Sequence, residues 1–325
     1  MRDLLTGGVI AAALGLAGCG SEGRSGEDTR PTQTVSTPAT EPGGADPAPR
    51  PALPDWFDCL RREEALVIAA HRGGPAPGYP ENALETLQRG AEAGLYLFEV
   101  DVAESADGVQ FLMHDDTLSR TTTGSGRVAD TQWAQIEDLR LVDRDGEVTE
   151  FTPPRLADLL DWAVAQNVVI ELDAKRSASY ETMVETVRAA GASDHVILIS
   201  YTEGQARALN GHAPEMMLTA DALNGADIEA LAVAGIDRDR LIAWTGNESP
   251  APQTWAALRA EGVEPAFGTL GRPGDRLDDA WRADGDLSEY AGLAEDGVVL
   301  LATDAPLDVA AALRADDRAF AACGR

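Results

Sequence analysis

Eight short apolar runs, most of them separated by helix-forming stretches, predict an α/β protein: a closed barrel of parallel strands of the (β/α)8 TIM type. Two further observations point the same way. The runs are apolar throughout, as strands buried on both faces must be. Four of them, LVIAAHRG, LYLFEVDV, VQFLMHD and VVIELDAK, end in charged or imidazole residues. The C-terminal ends of parallel barrel strands share one face, and active sites sit there. A doubly wound open sheet is the alternative architecture. The chain carries no dinucleotide fingerprint, no P-loop and no internal repeat.

Residues 20–52 are dominated by Ser, Thr, Pro, Gly, Glu and Ala. They hold too little apolar surface to offset their ordering entropy and are expected to form a disordered tether. The folded domain, 53–325, begins where the aromatics begin, at Trp56 and Phe57. Strand one is Leu66 to Ala70, followed by His71-Arg72-Gly73-Gly74. A loop from Pro75 to Pro80 and the triplet Pro80-Glu81-Asn82 lead into a helix over about 83–93, stopped by Gly94. Strand two, Leu95 to Val102, carries Glu99 and Asp101 two residues apart and so on one face. A turn at Asp107-Gly108 precedes strand three, Val109 to Met113, which ends at His114-Asp115. The distance from Asp101 to His114 is too short for a helical crossover. The barrel is therefore expected to be irregular between strands two and three, with an extended return in place of the outer helix.

Residues 116–153 interrupt the alternation and read as a small insertion after strand three. They hold a turn at Gly124-Ser125-Gly126, a short helix near Trp133 to Leu139 and a hairpin-like piece at Arg144-Asp145-Gly146-Glu147. The remaining strands are expected at 168–172, 196–200, 216–220, 241–244 and 298–302, with helices between them and an irregular Gly-rich section over 265–287.

The formal net charge of −29 excludes nucleic acid as a natural partner, since phosphate backbones require a basic face. Only one lysine, Lys175, stands against 25 arginines, and it lies at a strand end among the chemistry-bearing residues. A lysine kept where arginine is used elsewhere suggests a need for a compact ammonium. The first 19 residues read as an export signal, with Arg2 and the short apolar run Val9 to Ala17, too short to span a bilayer. Its end, Leu16-Ala17-Gly18-Cys19, resembles the lipobox of bacterial lipoproteins. That resemblance implies lipidation of Cys19, export, and a lipid anchor to the cell envelope rather than a membrane span. Export would place Cys59 and Cys323 in an oxidising compartment. A barrel brings its two ends together, so a disulfide between them is expected.

His71, Arg72, Glu99, Asp101, His114, Glu171, Asp173 and Lys175 are expected to converge on one mouth. Several carboxylates packed together repel unless a cation sits among them, and oxygen ligands suit Mg2+ or Ca2+. Arg72 and Lys175 beside them suit an anionic ligand, and a pair of histidines can exchange protons. A divalent cation with Arg, Lys and two histidines fits phosphoryl chemistry. His195 and His212 lie away from the strand C-termini and are read as structural.

In this order the residues resemble the glycerophosphodiester phosphodiesterase family. The shared pattern is His-Arg-Gly, Pro-Glu-Asn, Glu-x-Asp-Val, His-Asp, Arg-Thr-Thr, an acidic-x-Lys strand, Trp244-Thr245-Gly246-Asn247 and Thr303-Asp304-Ala305-Pro306, covering 66–306. The resemblance implies metal-dependent hydrolysis of glycerophosphodiesters to glycerol 3-phosphate and an alcohol. It makes His71 and His114 the acid/base pair. Arg72, Lys175, Glu81 and Trp244 become substrate contacts, and Glu99 and Asp101 ligands of one divalent cation, Ca2+ or Mg2+. Asp173 takes the third ligand position by register, with Glu171 the alternative. Ala83 stands where the family usually has threonine. Phospholipase-type cleavage through a cyclic phosphate, and a non-catalytic lipoprotein that binds polyol phosphates, are the competing readings.

Overall fold

The computed structural model describes residues 51–315 and 323–324. The expected export signal, Cys19 and most of the tether lie outside the described residues. The first helix, Leu53–Arg62, starts with proline in its first turn, where the missing N–H costs nothing. Its buried stripe of Leu53, Trp56, Phe57 and Leu60 packs on the inward residues Val67, Leu97, Val169, Ile197, Met217, Ile242 and Ala266. The helix thus plugs the N-terminal end of the barrel. Each such buried side chain contributes about 1.5–3 kcal/mol. Arg61 Nε lies 2.7 Å from the buried carboxylate of Glu264. The expected disulfide is present, joining Cys59 on this helix to Cys323 with 5.8 Å between the Cα atoms.

Among the described residues nine strands follow: β1 Val67–Ala70, β2 Leu97–Glu104, β3 Gln110–Leu112, β4 Val169–Ala174, β5 Val196–Ile199, β6 Met217–Asp221, β7 Leu241–Trp244, β8 Glu264–Gly268 and β9 Leu300–Thr303. Eight are parallel, in the order β1-β9-β8-β7-β6-β5-β4-β2, and β1 pairs with β2 to close the barrel. The fold class is the expected one, but two strands exchange roles. β3 is antiparallel to β2, with Val102 opposite Leu112, and stands outside the closed ring. Its place is taken by β8, within the section expected to be irregular. The sequence of β8, EPAFG, opens with a charge and contains proline and glycine. It therefore lacks the apolar signature of the other staves. A further short helix, Leu277–Arg282, lies in the same section.

Alternation along the strands divides the core in two. Outward residues such as Phe98, Val100, Ile170, Leu172 and Leu198 meet the surrounding helices. Inward residues fill the barrel below the mouth. The register of β2 against β4 sets Glu99 opposite Glu171 and Asp101 opposite Asp173, so four acidic residues enter the barrel at its C-terminal end. The insertion after β3 has its own small core, in which Leu118, Val128, Trp133 and Ile136 pack on Phe111 and Met113. Among the described residues no helix is long and apolar enough to cross a membrane.

Candidate active site

β1 ends in a tight turn in which Arg72, Gly73 and Gly74 have φ of 51°, 84° and 79°. A Cβ on Gly73 would lie 2.4 Å from Leu87 Cδ1, so glycine is required there for both conformation and space. Arg72 is not glycine, and its left-handed conformation costs roughly 1–2 kcal/mol. The return is that its N–H donates to Glu99 Oε2 at 2.8 Å. Its guanidinium meets Glu81 at 3.0 Å and lies 3.6 Å from Asp101.

The carboxylates lie one layer below this turn. Glu99, Asp101 and Asp173 are buried and each offers a ligand atom within 4.8 Å of the others. Glu171 lines the same cavity but is not part of this group. Asn82 clamps Asp101 from two sides. Its Nδ2 donates to Asp101 Oδ2 at 2.6 Å, and its Oδ1 accepts from the Asp101 N–H at 3.0 Å. Lys175 Nζ bridges Asp101 and Asp173 at 2.5 and 2.6 Å. The Tyr201 hydroxyl donates to Asp173 Oδ2 at 2.6 Å.

These contacts leave negative charge unmatched. Burial, reinforced by Asp101, pushes the Glu99 carboxyl up to about 7, against the pull of His71. Burial, with Glu99 and Asp173 adding to it, pushes Glu171 up to about 8. Burial would also raise Asp101, but Lys175 and Arg72 hold it below the usual carboxylate range. The chain's own cations therefore neutralise part of the cluster only. A divalent, oxygen-seeking ion fits the remainder.

Both expected catalytic histidines are pinned through Nδ1. His71 Nδ1 lies 2.8 Å from Asp304 Oδ1, while the other oxygen of Asp304 accepts from Arg276 at 2.7 Å and from the Gly271 N–H at 3.3 Å. Burial alone would lower the His71 pKa, but Asp304 and Glu99 outweigh it and the net shift is upward. His114 Nδ1 lies 2.7 Å from Asp115. Asp115 in turn is held by Arg120, which also grips both oxygens of Glu81 at 2.8 Å. In each case Nε2 makes no hydrogen bond among the described residues, although that of His71 lies 3.9 Å from Glu99 Oε2.

Two cavities meet at these histidines. The inner one, about 280 Å3, is lined by the four carboxylates, Lys175, Tyr201, Trp244 and Asn247. The outer one, about 850 Å3, is lined by Arg72, Glu81, Arg120, Arg144, Arg272, Arg276 and Asp304, among others. His71 and His114 line both. All ten expected site residues line one cavity or the other. Trp244 is set by a close approach, since a Cβ on Gly268 would meet its ring at 2.7 Å. His195 is buried below the barrel strands, with Nδ1 2.8 Å from the Val168 carbonyl, and His212 ends a helix; neither lines these cavities.

Six supporting residues carried no assigned role in the sequence. Asn82, Asp115, Arg120 and Asp304 stood inside quoted motifs, where only the fold reveals their partners. Tyr201 and Arg276 carry no local signal at all. Arg276 reaches Asp304 across 28 residues of chain, and Asp304 reaches His71 across 233.

Fold and site together define a class: a closed barrel whose mouth brings two pinned histidines together with buried carboxylates and several arginines. The comparisons agree. Residues 71–231 match the model of the glycerophosphoryl diester phosphodiesterase family. The crystal structure of a glycerophosphoryl diester phosphodiesterase from Parabacteroides distasonis superposes with a TM-score of 0.69 at 25% identity, over 82% of this chain and 93% of that one. The Bacillus subtilis protein YqiK is 32% identical over 169 residues, 49% of this chain and 69% of that protein. Glycerophosphodiester phosphodiesterase 1 of Rattus norvegicus is 34% identical over 122 residues, 37% of each. The match thus spans little more than a third of the rat relative's length. The chain belongs to the glycerophosphoryl diester phosphodiesterase family.

Proposed function

We propose that the protein hydrolyses glycerophosphodiesters to glycerol 3-phosphate and an alcohol, using one divalent cation, Ca2+ or Mg2+, and two-histidine acid/base catalysis. The observation that carries this reading is that His71 and His114 both line the inner and the outer cavity, so both imidazoles stand at the boundary a bound phosphodiester would cross. Glu99, Asp101 and Asp173 would hold the cation, with Glu171 beside them. The cation would supply positive charge against the oxygens of the reacting phosphate. Arg72 and Lys175 would bind those oxygens too. One histidine takes a proton from the attacking water as its oxygen bonds to phosphorus. The other gives a proton to the alcohol oxygen as its bond to phosphorus breaks. Asp304 and Asp115 fix the orientation and tautomer of the two rings. The inner cavity, about 280 Å3, has room for a glycerol phosphate. Trp244 offers an apolar wall to its carbons.

The test is release of glycerol 3-phosphate from glycerophosphocholine by the wild type and by His71→Ala and His114→Ala. Each variant should keep its circular dichroism spectrum and lose on the order of 10²-fold or more in kcat/KM. Wild-type turnover in either would count against the mechanism. Lipid attachment at Cys19 belongs to the same reading and is supported by the disulfide, which suits an oxidising compartment. Labelled fatty acid should enter the wild type and not Cys19→Ala; equal labelling would remove that part.

A further inference from the structure

The outer cavity is unusual for so acidic a chain. Five arginines and three carboxylates line it. The carboxylates are fully engaged. Glu81 is taken by Arg72 and Arg120. Asp304 is taken by His71, Arg276 and the Gly271 N–H. Asp143 accepts from the N–H groups of Gly78, Asp145 and Glu147. Among the described residues two of these arginines have no carboxylate partner. Arg144 donates to the Pro75 carbonyl and to no other group described. Arg272 has no side-chain ion pair or hydrogen bond among the described residues.

Both stand on braced turns. The Arg144 turn is closed by Gly146 N–H to Asp143 O at 3.1 Å and tied to the neighbouring loop by Gly78 N–H to Asp143 at 2.7 Å. The Arg272 loop is held by Gly271 N–H on Asp304 and by Asp275 N–H on the Arg272 carbonyl at 3.0 Å. Arg144 comes from the insertion and Arg272 from the segment between β8 and β9, so the excess positive charge is built from two separate additions to the barrel. Braced turns fix where each side chain starts, which leaves only the side chains to be ordered when an anion binds.

We propose that the outer cavity is a subsite for an anionic group, a phosphate or carboxylate, carried by the alcohol half of the diester and held between Arg144 and Arg272. This rests on the hydrolase reading above, which puts the glycerol phosphate half in the inner cavity and the alcohol half in the outer one. The subsite selects glycerophosphodiesters whose alcohol is itself negatively charged over those with neutral or cationic alcohols.

The experiment compares the glycerol 3-phosphate esters of ethanolamine, ethylene glycol and ethylene glycol phosphate, which differ in the charge at the far end. The full chain is assayed by glycerol 3-phosphate release. Two exposed ion pairs amount to about a tenfold preference in kcat/KM for the phosphorylated alcohol over the neutral one at low salt. The preference should sit mainly in KM and shrink as salt rises. In Arg144→Gln/Arg272→Gln the ratio should fall to about one, and Arg144→Glu/Arg272→Glu should favour ethanolamine. Urea unfolding midpoints check that the variants fold. Equal kcat/KM for the three esters in the wild type, or a preference that survives in the double Gln variant, overturns the subsite while leaving the hydrolase reading intact. Hydrolysis of none of the three overturns the hydrolase reading and the subsite with it.

Discussion

Asp304→Asn removes one charge and changes almost no volume. In the wild type Asp304 accepts from His71 at 2.8 Å through one oxygen and from Arg276 at 2.7 Å and Gly271 at 3.3 Å through the other. An asparagine has one accepting oxygen and one donating NH2. The guanidinium and the N–H must keep the oxygen, so the NH2 faces His71. His71 Nδ1 then has to accept, and its proton moves to Nε2. Burial would raise the Asp304 carboxyl, but His71 and Arg276 bring it down to about 2. Holding the carboxyl that far below an ordinary aspartate corresponds to about 2 kcal/mol. The sign follows from a folded pKa below the unfolded one. This contribution is present above about pH 4 and is lost as pH falls towards 2. His71 has the opposite sign, because its pKa is raised. Its contribution is present below about pH 6.5 and lost as pH rises through the folded value. Urea unfolding from pH 2 to 9 should therefore show the largest gap between wild type and Asp304→Asn, about 2 kcal/mol, in the mildly acidic range. Loss of a charge-assisted bond worth about 1.5–3 kcal/mol should cost about 10- to 150-fold in kcat/KM. A variant with wild-type kcat/KM and an unchanged gap across pH would refute the claim that Asp304 holds His71 in its working state.

Three further outcomes follow from the fold. Gly73→Ala sets a Cβ 2.4 Å from Leu87 at a positive φ and should cost about 2–4 kcal/mol by chemical denaturation, with activity falling as the His71 turn shifts; a neutral substitution would mean the turn is not tightly fixed. Cys59→Ser/Cys323→Ser opens a loop of 264 residues and should lower unfolding free energy by about 2–5 kcal/mol, with reductant producing the same loss in the wild type and none in the variant. Ala83 caps the helix Leu84–Glu92 without a side-chain hydrogen bond. Ala83→Ser should therefore add about 1 kcal/mol, or roughly 2 °C in Tm, and a fall in Tm would show that the buried position has no room for the hydroxyl.

The sequence revealed the staves that are wholly apolar and the residues at their ends. It misplaced two elements for identifiable reasons. VQFLM has the composition of a barrel strand, and only its antiparallel pairing with β2 sets Gln110–Leu112 outside the ring. β8 conceals itself because its inward Glu264 is matched by Arg61, a partner 203 residues away. The site divides along the same line. His71, His114, Glu99, Asp101, Asp173, Glu171, Lys175 and Arg72 are local to strand ends, where a chemical residue after an apolar run is visible. Asp304, Arg276 and Tyr201 act through contacts between distant segments, so their roles depend on barrel closure and have no local pattern. Register sets Asp101 opposite Asp173 and Glu99 opposite Glu171; the ligand atoms of Glu99, Asp101 and Asp173 lie within 4.8 Å of one another, and Glu171 lines the same cavity beside them.

The most direct test of the account is glycerol 3-phosphate release from glycerophosphocholine by the purified protein after EDTA treatment, then after adding Mg2+ or Ca2+ separately. EDTA should abolish release and at least one of the two cations should restore it, with no restoration in Asp173→Ala. Release unaffected by EDTA, or absent with either cation, would contradict it.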